Sequence, residues 1–365
     1  MRLNPLSYKH LDRWVGRYLF PEEGRVRPDP SRPVDVYLSV CDHYEPEAEG
    51  ADPKTALARV DRWATEYPRL FEQFRDHEGR PPQHTCFFPQ DQYRPEYLDR
   101  LKDLCDAGFA DVDVHLHHDG DTPASLTEKL AGFREDLWNR HGLLRKDDRG
   151  EVVYGFIHGN WALCNSRDDG RWCGVDEELT VLMDTGCYAD FTMPSAPSTT
   201  QTPTINSIYY ARDNEGAPRG HFQGVRARVG QSPPEGRLLM VQGPLSLDWS
   251  SRKFGVLPRT ENADVHMNMP PTVRRFRNWL RTGVHVAGEP NRVFVKLHTH
   301  GCKPGNIDRW LSSDIQDFHR DMLADVAASD GAVRLHYVTA WETAQLIHEI
   351  EAGVAADATA AATTA

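Results

Sequence analysis

From residue 34 onward, short apolar runs alternate with amphipathic stretches, and this rhythm constrains the fold more than any other feature of the chain. The runs at 34–40 (VDVYLSV), 84–89 (HTCFFP), 111–116 (DVDVHL), 152–159 (VVYGFIHG), 187–192 (CYADFT), 292–298 (RVFVKLH) and 333–339 (VRLHYVT) read as strands. Between the first two, Leu57, Val60, Trp63, Tyr67 and Phe71 recur at helical spacing. Further helices are predicted over 95–107, 123–141, 176–185, 271–282, 306–328 and 340–351. Thr122 and Pro123 supply an N-cap and a first helical residue, and Gly186 a stop. Strands separated by helices pair in parallel, because a parallel neighbour is reached only through a crossover connection. No GxGxxG follows the first strand, so the dinucleotide-binding sheet loses weight. The expected fold is α/β: a distorted (β/α) barrel of about seven parallel strands.

One stretch breaks the rhythm. Residues 194–258 are rich in Pro, Ser, Thr and Gly, with short apolar runs at 205–210 and 238–241, and read as a long insertion packed over one face, an elaborated loop region with a hairpin as one option. Residues 1–30 read as a lead-in whose Trp14, Tyr18 and Phe20 pack onto the body. The stretch 31–352 is then one domain, and the tail 353–365, without apolar periodicity, is expected to be disordered. A net charge of -12 argues against nucleic acid, which needs clustered Lys and Arg. No run reaches the roughly 18 apolar residues of a membrane span, and the first twenty residues lack a signal-peptide core. The seven cysteines are scattered and form no CxxC, which suits reduced thiols. A soluble, cytoplasmic protein is expected.

Chemistry collects at predicted strand ends, where α/β barrels carry their function. The first strand runs into Cys41-Asp42-His43-Tyr44-Glu45-Pro46, and the third into His115-Leu116-His117-His118-Asp119. The fourth ends at His158-Gly159-Asn160-Trp161, and a late one at His298-Thr299-His300-Gly301. Each segment alone also reads as a polar turn. Together they put histidine at four strand ends on one rim, and imidazoles with carboxylates are the donors that zinc and similar ions prefer.

These motifs resemble the NodB-homology polysaccharide deacetylases. SVCDHYEP stands where that family has TFDDGP, HLHHD where it has HSxxH, and KLHTHG where it has its late Leu-x-His. The resemblance covers most of 34–351 and is that of a divergent branch. It implies a divalent metal, preferably zinc, a carbohydrate substrate, and hydrolysis of an N-acetyl group by metal-activated water. Asp42 is then the base, and His298 or His300 protonates the leaving amine. His158, Asn160 and Trp161 line the sugar cleft. Two ligand sets stay open: His43, His115 and Asp119, or Asp42 with His115 and His117; His118 is a further candidate. A glycoside hydrolase using carboxylates from Asp42, Glu45 or Asp119 is an alternative, as is a carbohydrate-binding relative without activity.

Overall fold

The computed structural model describes residues 5–354, so the expected disordered tail lies outside the described residues except for Gly353 and Val354. In chain order the strands are β1 (Val34–His43), β2 (His84–Pro89), β3 (Ala110–Leu116), β4 (Arg145–Lys146), β5 (Val152–His158), β6 (Cys187–Asp190) and β7 (Ile208–Ala211). Then follow β8 (Val225–Arg226), β9 (Leu238–Val241), β10 (Ser246–Lys253), β11 (Leu257–Glu261), β12 (Arg292–Thr299) and β13 (Val333–Tyr337). The main sheet has the order β12-β1-β2-β3-β5-β6-β9-β7-β8, with β13 beside β1 and β4 beside β5. Strands β12, β13, β1, β2, β3, β5, β6 and β9 run parallel. Strands β4, β7 and β8 are antiparallel to their neighbours. The fold is mixed α/β with a large, mostly parallel sheet.

Two expectations need correction. Among the described residues the strand ladders do not close into a barrel, and the parallel strands outnumber seven. The extra one comes from the stretch read as an insertion: Leu238–Val241 is buried throughout and enters the sheet as β9, and Ile208–Ala211 pairs with it as β7. An apolar run of four residues is too short to signal a strand by periodicity, but burial on both faces suits it to one. The sheet edges are linked only by single backbone bonds through an irregular segment. Phe294 donates to the Val284 carbonyl, Ala287 to Ala227, and Val229 to Ala287.

Side-chain alternation along β1 divides the interior in two. Val36, Leu38 and Val40 join one core with Trp63, Tyr67 and Phe71 of the helix Pro53–Phe71. Asp52 caps that helix through the Thr55 N–H, with Pro53 at its first position. Tyr37 and Cys41 face the other way, into a second core with Phe87, Ile157, Phe191 and Phe294. The helix Ala340–Glu351 packs on this second core through Ala344, Ile347 and Ile350. The lead-in docks through Trp14, buried against Ala196 and Leu245 with Tyr18 beside it. Phe20, expected to pack, lies past the end of the helix Val15–Leu19 and is 79% exposed.

Candidate metal centre

Strand alternation decides which side chains meet. On β1, His43 ends the series Tyr37, Ser39, Cys41 and points to the second-core side; two residues on, Glu45 follows it. On β3 the same argument aligns Asp113 with His115 and, just past the strand, His117. On β12 it aligns Lys296, His298 and His300. These C-terminal strand ends converge. The His43 ring lies 4.7 Å from that of His115 and stacks on that of His300 at 4.5 Å. The His115 and His117 rings are 4.7 Å apart. Donor atoms of His43, Glu45 and His300 lie within 4.8 Å of one another, as do those of Glu45, His115 and His117. Glu45 is common to both triples.

The hydrogen bonds indicate which nitrogens are free. His115 Nδ1 donates to the Ile157 carbonyl at 2.9 Å, leaving its Nε2 lone pair 3.3 Å from Glu45 Oε1. A proton or a metal ion between the two atoms makes that contact favourable. His117 places Nε2 3.3 Å from the same Glu45 oxygen, and its Nδ1 contacts Asp91 at 3.1 Å. A carbonyl or carboxylate behind the second ring nitrogen is the usual support of a metal-binding histidine. His43 Nδ1 is buried without a hydrogen-bond partner. Two imidazoles and a carboxylate, with two more imidazoles alongside, fit a divalent ion such as zinc.

Electrostatics fit the same arrangement. Burial, then the surrounding imidazoles, hold His43 well below its ordinary value. Burial also lowers His115, although Glu45 opposes it. Both rings are therefore neutral and able to act as donors near neutral pH. Burial pushes the Glu45 carboxyl up, but the His115 and His117 imidazoles beside it outweigh burial and keep the group anionic. Burial depresses His117 too, but Asp91 and Glu45 together outweigh it and raise that ring to about 10, so without an ion it is protonated and must release that proton to bind one.

Several expected site residues lie elsewhere. Asp42, one residue before His43, faces the opposite side of β1. It is fully buried, accepts the Gly301 N–H at 2.6 Å and contacts His84 Nε2 at 3.1 Å. It belongs to neither donor triple, and both its oxygens are engaged by Gly301 and His84. Asp119 accepts the Trp172 N–H at 2.7 Å and also lies outside both triples. The polypeptide turns after Leu116, so the four-residue spacing from His115 does not return to the same face. His158 points into a separate buried group with His118, which removes both from this mouth. The Asn160 N–H is directed at His158 Nδ1. Trp161 does reach the mouth: its ring lies 5.9 Å from His43 and 5.8 Å from His300. His298 is buried behind His300, and burial pulls it down to about 4.

Sequence reasoning did not single out Glu45 as a candidate metal donor, nor Asp91 as a partner of His117. The spacing of Glu45 two residues after His43 carried the signal. Asp91 lies in the turn Gln90–Gln92 after β2, and only the fold brings it to His117.

No family model matches the chain, and no curated protein matches it. Among solved structures it is similar to the 4-alpha-glucanotransferase from Thermococcus litoralis, with a TM-score of 0.43 and 11% identity over 85% of this chain. The match covers 40% of that protein, so the chain spans about two-fifths of its neighbour's length. No helix among the described residues is long and apolar enough to cross a membrane.

Proposed function

We propose that this chain is a metal-dependent hydrolase that removes an acetyl group from an N-acetylated sugar or glycan precursor, as a divergent relative of the NodB-homology deacetylases. The observation carrying this reading is the shared Glu45 oxygen facing His115 Nε2 and His117 Nε2, with His43 and His300 stacked beside it. The expected balance of two imidazoles and one carboxylate is kept, with Glu45 and His117 in place of His43 and Asp119. Glu45, His115 and His117 would hold the ion, leaving His43 and His300 beside it for proton transfer. A bound divalent ion supplies Lewis acidity, polarising the scissile carbonyl and favouring ionised water at neutral pH.

The remaining roles belong to the chain. The neutral His43 ring takes a proton from the attacking water. His300, partly exposed at the mouth, is placed to give a proton to the leaving amine. Trp161 offers an aromatic face to a pyranose ring. Asp42 fixes the loop bearing His300 through the Gly301 N–H.

Acetate release from N-acetylated mono- and oligosaccharides, with and without a chelator, tests the reading. Release that stops with chelator, returns with zinc and is lost in His115→Ala supports it. Undiminished release in chelator overturns the metal role. New reducing ends without acetate point instead to the glycoside hydrolase.

A further inference from the structure

A second group of metal-type donors lies away from this mouth. His118, just past β3, His158 at the end of β5, Cys173 and Glu178 bring one donor atom each within 4.8 Å of the others, and all four are buried. His118 Nε2 is 3.2 Å from Glu178 Oε1, and His158 Nε2 is 3.8 Å from the same atom. Cys173 Sγ is 3.3 Å from Glu178 Oε2. With zinc bonds of about 2.0–2.3 Å, tetrahedral donors stand roughly 3.3–3.8 Å apart. We infer that His118, His158, Cys173 and Glu178 form a closed, four-donor zinc site whose role is structural.

Polar groups stand beside three of the four donors. His118 Nδ1 lies 3.2 Å from Asp121 Oδ2, a carboxylate that Ser125 and Lys129 also hold. Backbone N–H groups of Asn165 and Val175 point at Cys173 Sγ from 3.3 and 3.4 Å and favour a thiolate, against burial and Glu178, which push the thiol up while no ion is bound. Glu178 Oε2 accepts the Cys164 N–H at 2.6 Å. His158 Nε2 is buried with no hydrogen-bond partner, because the Asn160 and Ala162 N–H groups approach Nδ1 instead. To bind as a neutral imidazole that ring must carry its proton on Nδ1 and give up the two long N–H contacts at 3.3 Å, which makes it the weakest of the four donors. One thiolate and one carboxylate balance the charge of a divalent ion in a site without water, and binding releases the Cys173 proton. The four donors leave no open position, as structural zinc sites do. The ion would tie the loop after β5, which carries Trp161, to the end of β3, which carries His117.

The donors at the mouth, Glu45, His43, His115, His117 and His300, include no sulfur, so sulfur distinguishes the two sites. The full chain is stripped of metal and titrated with cobalt. A thiolate-to-cobalt charge-transfer band is expected, lost in Cys173→Ser and retained in His115→Ala. X-ray absorption of the zinc-loaded wild type provides a readout that needs no variant, with a sulfur neighbour expected at about 2.3 Å. No thiolate band at saturating cobalt, or a band that persists in Cys173→Ser, overturns the site and means that hydrogen bonds alone hold the four residues. A zinc shell of nitrogen and oxygen only overturns it as well. Neither result bears on the proposed hydrolase, whose donors are different.

Discussion

Asp42 separates two accounts of the chemistry. If it were the general base, Asp42→Asn would remove the proton acceptor and lower kcat by about 10²–10⁴-fold. The structure gives it a different task. Its Oδ1 holds the Gly301 N–H at 2.6 Å and its Oδ2 contacts His84 Nε2 at 3.1 Å, fully out of solvent. In Asp42→Asn the amide oxygen still accepts from Gly301. The new NH₂ donates to His84 Nε2 once the imidazole proton moves to Nδ1, a buried atom without a hydrogen-bond partner. The change replaces charge-assisted hydrogen bonds by neutral ones and costs about 1 kcal/mol. Even if all of it fell on the transition state, the rate would drop by less than about tenfold. Asp42→Ala instead strands the Gly301 N–H and His84 in the core at about 1–3 kcal/mol each. That variant should lose several degrees of Tm and the placement of His300. Deacetylation rate, Tm and bound metal are measured on both. The reasoning fails if Asp42→Asn keeps its Tm and metal content yet loses more than about 100-fold in kcat.

Three more outcomes follow from the same geometry. Asp91 supports His117 from behind, so Asp91→Asn should weaken metal binding by about 10–100-fold in chelator competition; unchanged affinity would exclude His117 as a ligand. A Cβ at Gly301 would fall on the Asp42 carboxylate and lie 2.8 Å from Trp63, so Gly301→Ala should lower Tm and activity together, and an unaffected variant would refute the packing. Burial, then the nearby His84, lowers His319 to about 3, where its Nδ1 pairs with the Tyr337 hydroxyl among Phe71 and Phe74. Its folded value lies below the unfolded ~6.5, so the stability it contributes is complete above that pH and is lost as the pH falls toward 3; at pH 5 the loss is roughly 2 kcal/mol. Denaturant titrations at pH 7.5 and 5 should show that His319→Phe has the smaller decline, and equal declines would refute the assignment.

Much of the fold could be read from the sequence because each buried parallel strand carries an apolar face and the helices carry their own end signals. Thr122 caps its helix through the Ser125 N–H, as its place before Pro123 implied. The insertion was misread because β7 and β9 are four residues each, set among Pro, Ser and Thr, and pair with each other only after the chain has travelled from 211 to 238. No local period marks such a pairing; burial in the assembled sheet defines it.

The site was legible wherever the argument kept to the period of two, and it failed where it followed motif order. Residues two apart on a strand share a face, and the mouth is built from such pairs: His43 with Glu45, His115 with His117, and His298 behind His300. The Asp42-His43 pair cannot serve one ion in extended β1, because adjacent side chains point to opposite sides of the sheet. The structure uses that opposition, with His43 in the mouth and Asp42 anchoring the loop of a third histidine from the far side. The same reasoning separates His117 from His118: one meets Glu45 in the mouth, while its neighbour turns to Glu178 in the buried group. A cluster such as HLHHD is therefore better divided by parity than counted as a single ligand set. Its alternate residues face two separate donor groups, His117 beside Glu45 and His118 beside Glu178.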